Sequence, residues 1–230
     1  MNLKVHIPNI LTLSNLLLGV IGIISVLNGN IFHGATFVLL AAGFDFLDGF
    51  AARLLKVQSN LGKELDSLAD VVSFGVLPGV ILFQMTKNQS LIEWLPYLTL
   101  IVPMFSAYRL AKFNLDTRQS ERFIGLPTPA NALFISTLPH LFVHFPKMGT
   151  WLSTPIGLIA IAWVFSVLLI SEIPLIALKF KNFTISDNIF RFLLLGIGIF
   201  CFGLLQLAGI PILILAYIGL SLIENAISRE

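Results

Sequence analysis

Cysteine is nearly absent from this sequence: Cys201 stands alone among 230 residues, inside the apolar stretch 198–203. A single thiol excludes an intrachain disulfide framework and a thiolate metal site, and it gives redox chemistry no footing. Charge is scarce as well, at 11% of residues, and almost cancels to a net +2. Hydrophobic side chains take up 57% of the chain, for a mean hydropathy of +0.92. Ordinary soluble domains do not have that composition. Linkers, low-complexity tracts and internal repeats are also missing, so the chain reads as one integral-membrane domain over residues 1–230. Membrane lipids are expected partners and nucleic acid is not.

What is present is a succession of apolar runs, each close to the roughly 20 residues needed to cross a hydrocarbon core of about 30 Å. They place spans at about 9–27, 32–55, 63–85, 95–114, 128–145, 154–178, 189–207 and 209–227. The predicted fold is all-α, a polytopic transmembrane bundle of about eight spans. The first run has no small-residue cleavage site before Asn28, which predicts a retained span. Only residues 207–211 separate the last two runs, which could instead form a re-entrant hairpin. With the N-terminus in the cytoplasm, the inner segments hold Lys4, Arg53, Lys56, Lys63, Arg109, Lys112, Arg118, Arg122, Lys179, Lys181, Arg191 and Arg229. Lys87 and Lys147 alone fall outside. That bias predicts an even number of spans in a cell membrane, with both termini cytoplasmic.

Asp45, Asp48, Asp66 and Asp70 interrupt these runs near the inner ends of the second and third spans. Acids within a membrane segment are expensive, and they usually face a cavity and carry function. Asp45 and Asp48 are three apart and Asp66 and Asp70 four apart, so each pair occupies one helical face. The short connector makes the two helices antiparallel neighbours, which brings the faces together. Four hard oxygen ligands with no histidine or cysteine nearby suit two Mg²⁺ or Mn²⁺ ions rather than zinc. Such a site can clamp a diphosphate and support phosphoryl transfer. Gly49 and Gly62 would let a phosphate or base approach the backbone, and Arg53 offers a forked donor to a phosphate. Two other readings remain at this point: interfacial salt bridges to Arg53, Lys56 and Lys63, and a pathway for a divalent cation.

Written out, Asp45-Phe-Leu-Asp48-Gly49-Phe-Ala-Ala52-Arg53, eight residues, Gly62, three residues, Asp66, three residues, Asp70 resembles the signature of the CDP-alcohol phosphotransferase family at every fixed position. The resemblance implies a core of about six transmembrane helices whose metal site opens to the cytoplasm, and often a homodimer. It implies that Asp45, Asp48, Asp66 and Asp70 hold two ions and that Asp70 is the general base. It further implies that Gly49, Arg53 and Ser59 contact the CDP portion, with Ala52 and Gly62 as close-packing positions beside the nucleotide.

Residues 8–140 also look like the membrane-embedded bacterial and archaeal phosphatidylserine synthases of that family. The likeness rests on Pro8-Asn9-Ile-Leu-Thr12-Leu-Ser-Asn15, on Leu65-Asp-Ser-Leu-Ala-Asp-Val-Val-Ser73-Phe-Gly75, on Tyr108-Arg109-Leu-Ala-Lys112-Phe-Asn114 and on Phe123-Ile-Gly125-Leu-Pro127-Thr-Pro129. It implies CDP-diacylglycerol and L-serine as substrates and phosphatidylserine and CMP as products. Another acceptor, such as glycerol 3-phosphate or inositol phosphate, and an ether-lipid donor stay open beside it.

Arg109 is a candidate for the serine carboxylate or a lipid phosphate, and equally for a snorkelling topology anchor. Asn114 and Lys112 share the first reading more weakly, while Arg118 and Arg122 read as loop charges facing anionic headgroups. Asn9, Thr12 and Asn15 form one helical stripe that suits either a nucleotide pocket or helix packing. Glu172 reads as an interfacial acid. His140 and His144 have metal-ligand spacing but sit at the outward end of their span, where coincidence is the better account.

Overall fold

In hydrocarbon the backbone has no partner but itself, which forces long apolar runs into helices. The computed structural model describes residues 6–57, 59–115, 123–176, 184 and 188–227. Lys4, Arg118, Arg122, Lys179, Lys181 and Arg229, used above for topology, lie outside the described residues. The first two helices, α1 (His6–Leu27) and α2 (His33–Leu54), run antiparallel as expected. The chain reverses between them at Gly29, whose φ of +94° is a left-handed conformation that glycine adopts freely. After a short connector, Ser59 caps α3 (Asn60–Asp70) by accepting a hydrogen bond from the Gly62 N–H at 2.9 Å.

The third expected span is not one uniform helix. It consists of α3, a widened π-type turn over Val71–Val76, and α4 (Leu77–Lys87). Within the turn, the N–H of Leu77 reaches back five residues to the Val72 carbonyl. Pro78 has no N–H to offer the Phe74 carbonyl, which accounts for the break in regular pairing. This span is the axis of the molecule: most of it is buried, with Phe74, Leu77, Ile81 and Leu82 fully enclosed, whereas less than a third of each other long span is buried. Small residues let its neighbours come close. A Cβ added to Gly19 of α1 would lie 2.4 Å from the Ser73 hydroxyl oxygen, and one added to Gly75 would lie 2.9 Å from Ser106 Cβ.

A 3₁₀ segment, Leu95–Leu100, leads into α5 (Ile101–Leu115), which carries Ser106 and Arg109. Then come α6 (Thr128–His144), α7 (Pro146–Leu152) and α8 (Pro155–Ile170), with an 82° bend between the last two. The sixth expected span, 154–178, is helical only to Ile170, because the chain then extends and Pro174–Leu175 (β2) pairs antiparallel with Phe123–Ile124 (β1). That bridge ties the entry to α6 against the exit from α8. The last helices, α9 (Ile189–Leu205) and α10 (Gly209–Ile227), fold back on each other at Gln206, φ +49°. A Cβ on Gly198 would meet Leu213 at 3.6 Å, and one on Gly209 would meet the Cys201 carbonyl oxygen at 2.5 Å, so the two legs are antiparallel.

This is a helical membrane protein. By length and apolar character four stretches qualify as spans, His6–Leu27, His33–Leu54, Asn60–Lys87 and Ile189–Ile227, and the bent α7–α8 pair makes up to five. The number is below the expected eight for two reasons. α5 and α6, at 15 and 17 residues, are shorter than a simple crossing requires. The Ile189–Ile227 stretch also turns back on itself, so one continuous stretch contains two legs.

Candidate active site

The spacing of the acids on α2 and α3 does bring them together. One carboxylate oxygen from each of Asp45, Asp48 and Asp66 lies within 4.8 Å of the other two. Asp48 is buried, and Asp45 and Asp66 are half-buried. Asp70, one turn deeper on α3 and also buried, stands outside this trio. Its Oδ1 accepts a hydrogen bond from Asn15 Nδ2 at 3.2 Å. Asp48 Oδ2 accepts one from the Thr12 hydroxyl at 2.6 Å. The Ser73 hydroxyl in turn donates to the Asn15 carbonyl at 3.0 Å, fixing α1 against the π-type turn. Thus α1 is the third wall of the site, and two members of its polar stripe hold carboxylates.

Two of the trio, Asp48 and Asp66, line a cleft of about 410 Å³, with Asp45 behind them. Asn9 and Thr12 line it from α1, Asp48, Gly49 and Ala52 from α2, and Ser59, Gly62, Lys63 and Asp66 from the capped start of α3. At Gly49 the nearest atom to an added Cβ is Arg53 Nη2, 3.9 Å away, so this wall is bare backbone facing open space. At Gly62 an added Cβ would lie 3.0 Å from Ser59 Oγ and 3.2 Å from Asn9 Oδ1, a close-packed corner. Arg53 sits beside the cleft rather than in its lining, with Nε donating to the Gly49 carbonyl at 3.0 Å.

Among the described residues, none of the four acids forms an ion pair. The pair found there is Lys112 with Glu172 at 3.4 Å. Lys63 donates to the Asn114 carbonyl at 3.2 Å, and Asn114 Nδ2 donates to the Ser67 hydroxyl at 2.8 Å, which staples α3 to α5. The salt-bridge reading of the acids therefore lacks its cations. Carboxylates in this setting are costly without a positive partner. Asp66 Oδ1 is buried and has no hydrogen-bond partner. Converging hard oxygen donors, one of them orphaned, fit a divalent cation, and Asp45, Asp48 and Asp66 could hold it.

Arg109 is buried on α5, with Nη1 donating to the Thr128 hydroxyl at 2.8 Å and its guanidinium 5.2 Å from the centre of the Phe113 ring. It points into the bundle and lies within electrostatic reach of Asp70 and Tyr217. It is not part of the cleft wall. His140 and His144 lie near the opposite end of the bundle, beside Phe32 and Gln206, and join no metal-capable group of three among the described residues. Thr128 was not singled out in the sequence. Its signals were its place after Pro127 and its presence in the segment 123–129 that carries the family likeness.

Fold and site together define a membrane-embedded helical protein with a carboxylate cluster and a nucleotide-sized cleft at one end. The family of CDP-alcohol phosphatidyltransferases matches residues 5–220, and the chain belongs to it. It is similar to the CDP-diacylglycerol–serine O-phosphatidyltransferase of Bacillus subtilis (strain 168), 34% identical over 128 residues that cover 54% of this chain and 70% of that protein. The enzyme of the same name from Mycobacterium leprae is 35% identical over 181 residues, 76% of this chain and 59% of that one. An archaetidylserine synthase of Methanothermobacter thermautotrophicus is 32% identical over 135 residues, 58% of this chain and 57% of that one. The chain thus spans under two thirds of the length of the latter two relatives.

Proposed function

We propose that this protein transfers the phosphatidyl group of CDP-diacylglycerol to the hydroxyl of L-serine, giving phosphatidylserine and CMP. The observation that carries the reading is the convergence of Asp45, Asp48 and Asp66, two of which line a cleft, with Asp70 one turn further along α3 and bonded to Asn15. The family supplies the reaction class, and serine appears in the names of all three relatives described above. Asp45, Asp48, Asp66 and Asp70 would hold two divalent ions, Mg²⁺ or Mn²⁺. When bound, these would neutralise the diphosphate and the charge that develops as the phosphoryl group moves.

The chain's own residues do the rest. Gly49 and Gly62 let the CDP moiety approach the backbone, Ala52 and Ser59 shape the wall around it, and Arg53 is close enough to turn its guanidinium to a phosphate. Asp70 accepts the proton of the serine hydroxyl. The serine oxygen forms a bond to the lipid-bearing phosphorus, the bond from that phosphorus to the CMP oxygen breaks, and CMP leaves with the electron pair. Arg109 receives the serine carboxylate. Asn15, by orienting Asp70, sets the direction of proton transfer. The helical pairs would form eight crossings around a six-helix core, with both termini and the site on the cytoplasmic side of a prokaryotic cell membrane. Arg53, Lys56 and Lys63 at the acidic end, against Lys87 at the far end of α4, support that orientation. The active unit would be a homodimer.

The likeness to an archaetidylserine synthase favours one second reading, an archaetidyl donor in place of the phosphatidyl one. The test is CMP release by the purified full chain in lipid with Mn²⁺ or Mg²⁺, across both donors, with serine, glycerol 3-phosphate or inositol phosphate as acceptor. Serine-dependent release that Asp70→Asn lowers by about a thousandfold or more is the expected result. Release with a phosphorylated acceptor and none with serine would overturn the assignment. Silence with every alcohol would favour a divalent-cation carrier.

A further inference from the structure

The bond between Arg109 and Thr128 marks where α5 and α6 meet, and one turn further into the bundle both helices place a polar side chain that the reaction above does not use. On α5 this is Ser106, three residues before Arg109; on α6 it is Asn131, three residues after Thr128. Such spacing keeps each pair on one helical face. The two helices run in opposite directions. Asn114 and Ser106 of α5 meet Ser67 and Gly75 in reverse order along the third span, whereas α6 runs alongside α4 to a shared outer end at Phe142 and Met85. Moving inward from the Arg109–Thr128 bond therefore takes both chains to the same depth.

Ser106 and Asn131 are fully buried, at 0% exposure. Among the described residues, Ser106 Oγ and both Asn131 Nδ2 and Asn131 Oδ1 have no hydrogen-bond partner. A carboxamide can donate twice and accept twice, so leaving all of it unsatisfied inside a membrane bundle is heavily penalised. Native proteins rarely keep such groups unless something else completes them. The Arg109 guanidinium, one turn away on α5, gives one of its five N–H groups to Thr128 and has others to offer. Two uncharged groups that can both accept and donate, one turn from a buried cation, make up the inventory required by a small zwitterion. The guanidinium suits a carboxylate, and the two oxygens suit an ammonium.

Resting on the function proposed above, we infer that Asn131 and Ser106 form the inner wall of the acceptor subsite and select an amino-acid alcohol by binding its α-ammonium group. Arg109 takes the carboxylate, which leaves the hydroxyl directed toward Asp70, within whose electrostatic reach Arg109 lies. Neither a phosphorylated polyol nor a simple alcohol satisfies the carboxamide in this way. A site built to hydrogen-bond a group discriminates strongly against analogues that lack it.

The experiment measures initial rates of CMP release by the full chain in lipid with CDP-diacylglycerol and Mn²⁺, comparing wild type with Asn131→Leu and Ser106→Ala. The expected result is a rise of about tenfold or more in KM for serine in Asn131→Leu, with KM for CDP-diacylglycerol within about twofold of wild type. Any CMP release supported by 3-hydroxypropionate, which has no ammonium, should respond less to either substitution than release supported by serine. Ser106→Ala removes one acceptor and little volume, so it tests the subsite even where Asn131→Leu fails to fold. Its serine KM should rise about threefold or more. Unchanged serine KM in both variants, or equal shifts in both substrates accompanied by a lower Tm, would overturn the inference and leave these groups to buried water. A wild type that ignores serine but uses another acceptor refutes the proposed function separately. The subsite then stands or falls on whether the same variants raise the KM of that acceptor.

Discussion

Asn15 illustrates how much of the site rests on one uncharged side chain. Its Nδ2 donates to Asp70, the backbone carbonyl of the same residue accepts from Ser73, and the side chain is fully buried between α1 and the central span. A hydrogen bond to a charged group is worth about 1.5–3 kcal/mol, and Asp70 without it can turn away from the acceptor. Asn15→Leu should lower kcat for CMP release by about tenfold to a hundredfold at saturating serine and CDP-diacylglycerol, while the metal concentration for half-maximal rate stays within about twofold. Full activity in this variant would remove Asn15 from the machinery. The four aspartates were legible in the sequence because carboxylates stand out against Phe, Leu and Ala, and their spacing dictates the shared faces. Thr12 and Asn15 were visible as a stripe but not as ligands of those acids, because polar side chains also hold helices together in a membrane. Asn131 gave no sign at all. Its carboxamide is buried without a partner among the described residues, which only the folded bundle reveals.

At the scale of elements, the π-type turn over Val71–Val76 determines where Asp70 and Ser73 point. Sequence predicted one helix over 63–85, and Pro78 was the only hint of a break. The widening also needs Gly19 and Gly75, whose missing side chains let α1 and α5 press against the turn from either side. Close approach of this kind depends on three helices at once and is not written in any one of them. The same limit applies to the last expected spans, where the chain-reversing turn at Gln206 lies within an apolar run that has no polar loop to announce it. Gly19→Val tests the packing. Its side chain would intrude on Ser73 Oγ at 2.4 Å and Ser73 Cα at 3.0 Å, and a backbone atom cannot swing aside. The expected outcome is a loss of about 1–3 kcal/mol in stability, read as a lower Tm, together with reduced CMP release because Ser73 and Asn15 separate. Wild-type Tm and rate would show that the turn yields without consequence.

For the molecule as a whole, the acidic end poses an electrostatic problem that divalent ions would solve. Asp45, Asp48 and Asp66 converge within 4.8 Å with no ion pair among the described residues, so without metal they repel one another across α2 and α3. Metal binding should therefore stabilise the fold as well as permit turnover. A ligand that binds only the native state at a hundredfold over its Kd adds about 2.7 kcal/mol. Chelation with EDTA should abolish CMP release and lower Tm, and Mn²⁺ or Mg²⁺ should restore both. Asp45→Asn gives the decisive sign. Losing one of three like charges relieves repulsion, so with EDTA the variant should melt at or above the wild-type temperature. In saturating Mn²⁺ the order should reverse, because the variant has lost a ligand and with it most of the metal-dependent gain. A variant that melts below wild type by the same margin in both conditions would mean that Asp45 serves the packing of α2 and not a metal.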